Sequence, residues 1–173
     1  MKKETLKSIK ERRSIKAYLP EQIKEEELDL ILEAGTYAAN GRSLQSAKMV
    51  VVQDKETRDL LSRLNAQVMG TDKDPFYGAP TVVVVFADSN CHTYVEDGSL
   101  VMGNLMLGAY AVGVGSCWIH RARQVFQLPE GKELMKKWGL DENYVGVGNC
   151  ILGYTKGDIP QAKPRKTDYI LKV

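Results

Sequence analysis

The sequence predicts one mixed domain, an apolar sheet covered by helices on both sides. The chain has 173 residues, 43% hydrophobic and 27% charged, proportions that suit a single globular domain over residues 1–173. Helix-period and strand-period segments alternate along it, with no internal repeat, low-complexity tract or linker. Val82-Val83-Val84-Val85-Phe86 is apolar at every position, as in a strand buried on both faces in mid-sheet.

The elements follow in order. Leu6 and Ile9 among polar neighbours predict a short first helix that ends in Arg12-Arg13-Ser14-Ile15-Lys16. Residues 25–39 carry Leu28, Ile31, Leu32 and Gly35 at three-to-four spacing, an amphipathic helix broken by Asn40-Gly41-Arg42-Ser43. Residues 48–53 read as a buried strand and 55–68 as a helix with Leu60, Leu61 and Leu64 inward. A glycine- and proline-rich loop fills 70–80, and the mid-sheet strand runs 81–87. Residues 94–112 form the longest helix, apolar nearly all round after Ser99. One small domain has little room to bury such a helix, so a second subunit is expected on it, with Gly98, Gly103 and Gly108 admitting a close backbone. A short strand at 115–119, short helices at 122–128 and 130–138, and an apolar strand at 144–153 complete the body. The tail, 156–173, holds Pro160, Pro164 and scattered charge; it reads as an extended arm on another surface, where Tyr169-Ile170-Leu171 could add a strand.

Composition excludes several classes. A net charge of +2 gives no global basic character, so neither nucleic acid nor anionic lipid is expected as a partner. Cys91, Cys117 and Cys150 are odd in number and lack a CxxC pair, which argues against a disulfide framework or zinc cluster. No apolar signal core follows the basic start, and the most apolar run, 100–114, falls short of the ~18–20 residues that span a bilayer. The expected location is cytoplasmic.

Four clusters could carry chemistry. In Arg12-Arg13-Ser14-Ile15-Lys16, arginine forks match phosphate oxygens, and strand alternation sends Arg12, Ser14 and Lys16 to one side. Asn40-Gly41-Arg42-Ser43-Leu44-Gln45 offers amides and hydroxyls for the edge of a heterocycle. Gly113-Val114-Gly115-Ser116-Cys117-Trp118-Ile119-His120 permits close approach to a flat ligand, with Trp118 and Ile119 able to face a ring. It is not a dinucleotide fingerprint, because it follows a helix and has tryptophan at 118. Lys163-Pro164-Arg165-Lys166 holds cations on an extended tail. Taken singly, each also suits an ordinary solvated turn, loop or tail. No nucleophile elbow, P-loop, HExxH or CxxC is present, and acid–base candidates are few. That poverty suits a protein whose chemistry sits on a borrowed cofactor.

In this order and spacing, from about Leu6 to the tail, the clusters resemble the nitroreductase family of flavoproteins. The resemblance implies an α+β fold with a mixed sheet flanked by helices. It also implies a homodimer whose C-terminal arms, about 156–173, are exchanged, with FMN held where the subunits meet. Carried onto this chain, Arg12 and Ser14 bind the phosphate end, Arg13 supports them, and Lys16 lies near the flavin N1/O2 edge. Arg165, with Lys163 or Lys166, completes the clamp. Asn40, Ser43 and Gln45 contribute from the other subunit. Trp118 and Ile119 line the ring, and the His120 backbone N–H faces N5. The implied activity is ping-pong hydride transfer from NADPH or NADH, through flavin N5, to a nitroaromatic, quinone or related small-molecule acceptor. A flavin-binding sensor without turnover is the alternative. Two departures stand out: Ala39-Asn40 replaces a common Pro-Ser pair, and Gln45-Ser46-Ala47 a common Gln-Pro-Trp. Segments that roof the substrate site in larger members are missing here, apart from the 70–80 loop.

Overall fold

Strand β2 (Thr81–Asp88) is the spine of the fold, and its seven residues from Thr81 to Ala87 are all buried. The computed structural model describes residues 2–173. Four strands, β1 (Ala47–Val52), β2, β3 (Gly115–Ile119) and β4 (Tyr144–Gly153), form one sheet in the order β1-β2-β4-β3. All three strand pairs are antiparallel, and the parallel component is a single bridge between Ser14 and Ser116. A register shift between Val85 and Phe86 marks a bulge in the β2–β4 pairing.

The period of two along β2 divides the interior into two cores. Val82, Val84 and Phe86 face one side, with Leu61, Leu64, Phe76 and Phe126. Val83 and Val85 face the other, with Ile31, Met102 and Leu105. Six helices cover these faces: α1 (Lys2–Glu11), α2 (Glu25–Thr36), α3 (Lys55–Met69), α4 (Tyr94–Ala111), α5 (Ala122–Val125) and α6 (Pro129–Lys137). Local chemistry sets their ends. Glu27 accepts from the Lys24 N–H at the start of α2, and with Glu25 and Glu26 it suits the positive helix terminus. Asp54 caps α3 by accepting from Thr57 N–H (2.9 Å), and Gly70 ends it at φ 69°. Pro129 opens α6.

Helix α4 corrects one expectation. Its glycines serve this chain first: a Cβ on Gly98 would lie 2.6 Å from Val147, and one on Gly108 would lie 2.9 Å from Ala34. Asn104 binds the Ala34 carbonyl across the same α2–α4 contact (2.9 Å). Only Gly103 of the three faces open space, beside exposed Leu100. The apolar stripe of α1, Leu6 and Ile9, is likewise exposed. The tail, 156–173, has no regular structure and forms no strand; Tyr169, Ile170 and Leu171 are all exposed.

Gly131 marks the tightest helix approach, where a Cβ would fall 2.1 Å from the Val125 carbonyl oxygen. Gly131→Ala is expected to cost about 1–3 kcal/mol. A thermal melt checks this, and a midpoint equal to wild type would contradict the contact.

Candidate functional site

The basic segment is stitched to the end of the sheet. Ile15 N–H donates to Ser116 O (3.0 Å), Leu19 N–H to Tyr154 O (2.9 Å) and Lys156 N–H to Ala17 O (3.0 Å). Ile15 and Tyr18 are buried, so alternation leaves Ser14 and Lys16 outward. Ser14 pairs with Ser116 of β3 in a parallel bridge, and the charges of Arg12 and Lys16 both favour the thiolate of neighbouring Cys117, so the three predicted residues lie along the same stretch of the β3 edge. Arg12 Nη1 donates to the Met106 sulfur at 4.0 Å, its one side-chain hydrogen bond among the described residues. Among the described residues, no carboxylate lies within ion-pair distance of Arg12, Arg13 or Lys16. Arg13 turns away, donating to the carbonyls of Lys10 (2.7 Å) and Arg12 (2.8 Å) at the end of α1. A shallow cleft of about 110 Å³ opens here, its lining including Arg12, Arg13, Gly113, Ser116 and Thr155 together with Glu11, whose carboxylate accepts from the Tyr110 hydroxyl (2.8 Å).

The 40–46 loop is held open by a buried carboxylate. Asp97, on α4 and 2% exposed, accepts from Gly41 N–H (2.9 Å) and Ser46 Oγ (2.6 Å). Burial alone would raise its pKa, but the hydrogen bonds from Ser46, Gly41 and Thr93 prevail and hold it below the usual carboxylate value. Asn40 Oδ1 accepts from Gln45 N–H (2.9 Å) across the loop. Between these ties, Arg42, Ser43 and Gln45 have φ of 53°, 56° and 49°. Three non-glycine residues in the left-handed region cost roughly 1 kcal/mol each, strain of the kind that clusters at functional loops. Ser43 and Gln45 are exposed, and Asn40 and Gln45 line a second shallow cleft of about 140 Å³ with Met49 and Val101.

At the exit of β3, two buried asparagines fix successive peptides. Asn149 Nδ2 donates to Ile119 O (3.3 Å), and Asn65 Nδ2 donates to His120 O (2.9 Å). Because the 119–120 peptide is planar and trans, its N–H, that of His120, points away from Asn149. Arg121 then turns the chain at φ 77°. Trp118 and Ile119 lie on opposite faces of β3: Ile119 packs in the core with Phe86, and Trp118 stacks on Gly148 beside Met102. Within this chain the two side chains therefore face opposite sides of the sheet, as strand alternation requires.

Lys163, Arg165 and Lys166 stay exposed, and Arg165 Nη2 binds only the Lys163 carbonyl (3.0 Å) among the described residues. The three cysteines are free. Burial pushes Cys150 up to about 12 and raises Cys117 despite Ser14, Lys16 and Arg12, so both thiols are neutral and poor nucleophiles. No metal-binding group of side chains and no helix long and apolar enough to cross a membrane occur among the described residues. Sequence reasoning missed Asn65, Asp97 and Asn149. Each sits in an otherwise apolar or helical run, and a polar residue at a core position was the available signal.

An unpaired cationic edge, a strained polar loop and a backbone turn fixed by asparagines occur in one small α+β domain, the fold that the ordered clusters implied. The comparisons agree. The sequence pattern of the nitroreductase family matches residues 9–154. A protein of Archaeoglobus fulgidus, provisionally named NADH dehydrogenase/NAD(P)H nitroreductase, is 31% identical over 160 residues, 90% of this chain and 87% of its own. The crystal structure of a nitroreductase with bound FMN from Bacteroides fragilis superposes with TM-score 0.90 at 29% identity, covering 98% of each chain. Another with bound FMN, from Desulfitobacterium hafniense, gives 0.87 at 26%, again covering 98% of each. The chain belongs to the nitroreductase family.

Asp97→Asn tests the loop anchor. It places an amide N–H against a donor in a buried site, at an expected cost of about 2–4 kcal/mol at pH 7. The folded carboxyl titrates below its unfolded value, so its contribution is complete above about pH 4 and fades as pH falls through the folded value. Urea unfolding at pH 7 and pH 3 should show the gap between variant and wild type narrowing in acid; a gap constant in pH would contradict the anchoring charge.

Proposed function

We propose that this protein is an FMN-dependent oxidoreductase that passes hydride from NADPH or NADH to a nitroaromatic, quinone or related acceptor in a ping-pong cycle. The observation that carries this reading is the docking of the basic segment on the sheet edge, where Ser14 bridges to Ser116 and no carboxylate lies within ion-pair distance of Arg12 or Lys16 among the described residues. Uncompensated cations fixed by backbone hydrogen bonds suit a dianionic phosphate. When bound, FMN supplies the hydride-accepting and hydride-donating ring, which is why the site needs no acid–base pair of its own.

The residues divide the work. Arg12 and Ser14 take the phosphate end, and Arg13 holds the α1 terminus that carries Arg12. Lys16 supplies positive charge where the ring gains negative charge. His120 presents its N–H toward N5, steadied by Asn149 and Asn65. Each cleft is small against the ~300–1,000 Å³ of ordinary ligand sites. We infer that a homodimer joins them: Asn40, Ser43 and Gln45 of one copy face the basic segment of the other. Exposed Leu6, Ile9 and Leu100 would be covered in that assembly. The tail would cross to the partner and bring Arg165, with Lys163 or Lys166, to the phosphate.

Purified protein should take up FMN and absorb near ~370 and ~450 nm, as flavins do. It should then oxidise many equivalents of NAD(P)H with menadione or a nitrofuran; one equivalent per flavin would favour a sensor instead. Arg12→Ala should weaken FMN binding roughly 10- to 100-fold, measured by fluorescence quenching, and wild-type affinity would refute the clamp. Lys16→Met should slow flavin reduction roughly 10- to 100-fold in stopped flow while FMN affinity changes little. Equal rates per bound flavin would remove Lys16 from the chemistry.

A further inference from the structure

Residues 70–80 join α3 to β2 and take no part in the phosphate clamp. They are nonetheless tightly stapled. The Asp74 carboxylate accepts from Arg58 Nη2 (2.7 Å), Phe76 N–H (2.8 Å), Gly78 N–H (2.7 Å) and Ser62 Oγ. Arg58 also donates from Nε to Ala79 O (3.0 Å) and lies over the fully buried Phe76 ring. Burial would raise the Asp74 pKa, but these four hydrogen bonds lower it, so the staple is charged at neutral pH.

The staple forces Tyr77 to φ 53°, with Gly78 following at 75°. A turn needing only that backbone would favour glycine or asparagine at 77. The residue there is an aromatic, 39% exposed, and the Lys16 ammonium lies 5.6 Å from its ring centroid. Strain retained against a buried anchor, on an exposed ring beside the cation of the site, marks a surface shaped for a ligand.

We propose that Tyr77 is the acceptor-selecting residue: its ring and Lys16 form one wall of the acceptor site. This wall favours planar, electron-poor aromatics bearing oxygen substituents over non-aromatic molecules of similar size and charge. The inference rests on the flavin reading given above, since it needs the ring system beside Lys16. The electron-rich face of tyrosine complements an electron-poor ring, and Lys16 meets the substituent oxygen. Asp74 is a positioning residue that acts through Tyr77.

The test uses oxidised, FMN-loaded protein without reductant. 4-Nitrobenzoate and cyclohexanecarboxylate, two carboxylates that differ in aromaticity, are titrated separately and followed by the flavin difference spectrum. Wild type should bind the aromatic acid more tightly. Tyr77→Leu should reduce that preference roughly three- to ten-fold, the worth of one aromatic pair. Tyr77→Phe should retain it, and FMN affinity should stay the same in all three proteins. A Tyr77→Leu variant that keeps the wild-type preference, or that weakens both acids equally, overturns the proposal. Wild-type protein that takes up no FMN would overturn the flavin reading itself and this inference with it, a result seen before any variant is made.

Discussion

The structure depends on the docking of residues 14–19 against the β3 edge and the end of β4. Three backbone hydrogen bonds, Ile15 to Ser116, Leu19 to Tyr154 and Lys156 to Ala17, hold a segment that carries Arg12, Arg13 and Lys16 at or near its start. Buried Ile15 and Tyr18 anchor it from below, with the Tyr18 hydroxyl donating to Ile15 O (2.7 Å). Exposed like charges repel by only about 1 kcal/mol at contact distance in water, and each backbone hydrogen bond contributes a comparable net amount. The sheet edge therefore outweighs the repulsion and turns a solvated basic run into a fixed set of cations.

The same logic governs the other parts of the site. Asp97 holds a loop whose own backbone is strained, and Asn65 and Asn149 hold the carbonyls at the exit of β3. In each case a buried polar side chain gives up hydration for a hydrogen bond to backbone, and Asp97 adds one from the Ser46 hydroxyl. What it fixes is the direction of a main-chain group: the Gly41 N–H, the Ile119 carbonyl or the His120 carbonyl. Asn65 Oδ1 is buried and accepts no hydrogen bond among the described residues, on the same side chain that holds the His120 carbonyl. The thiols contribute nothing of this kind: Cys117 and Cys150 are neutral core residues whose place beside the cations is geometric.

Exposed apolar surface is where the proposed dimer would add burial. Leu6 and Ile9 on α1, Leu100 on α4 and Tyr169-Ile170-Leu171 in the tail are uncovered. Such residues gain little from a single chain and much from an assembly that buries them, at about 25 cal/mol per Å². The two small clefts make the same point from the polar side, since neither has the volume of a complete ligand site.

The sequence by itself determined the elements whose patterns are local. The all-apolar run at 82–86 could only be a central strand, the amphipathic spacing of α2 gave its buried face, and Ile15 between Ser14 and Lys16 encoded which side the cations take. The ordered basic and amide clusters also carried the family, because spacing along the chain survives where individual identities drift. Only the tertiary structure decided the rest. Strand alternation was readable at Trp118-Ile119, yet the role of each face depended on Gly148 and Phe86 arriving from distant segments. The glycines of α4 looked free for a partner until α2 and β4 filled the space beside Gly108 and Gly98. Asp97 gave no local sign that it would reach 56 positions back to Gly41, nor Tyr77 that it would cover Lys16. Hydrogen bonds and ring contacts of long sequence separation are set by how the layers pack, and periodicity carries no record of them.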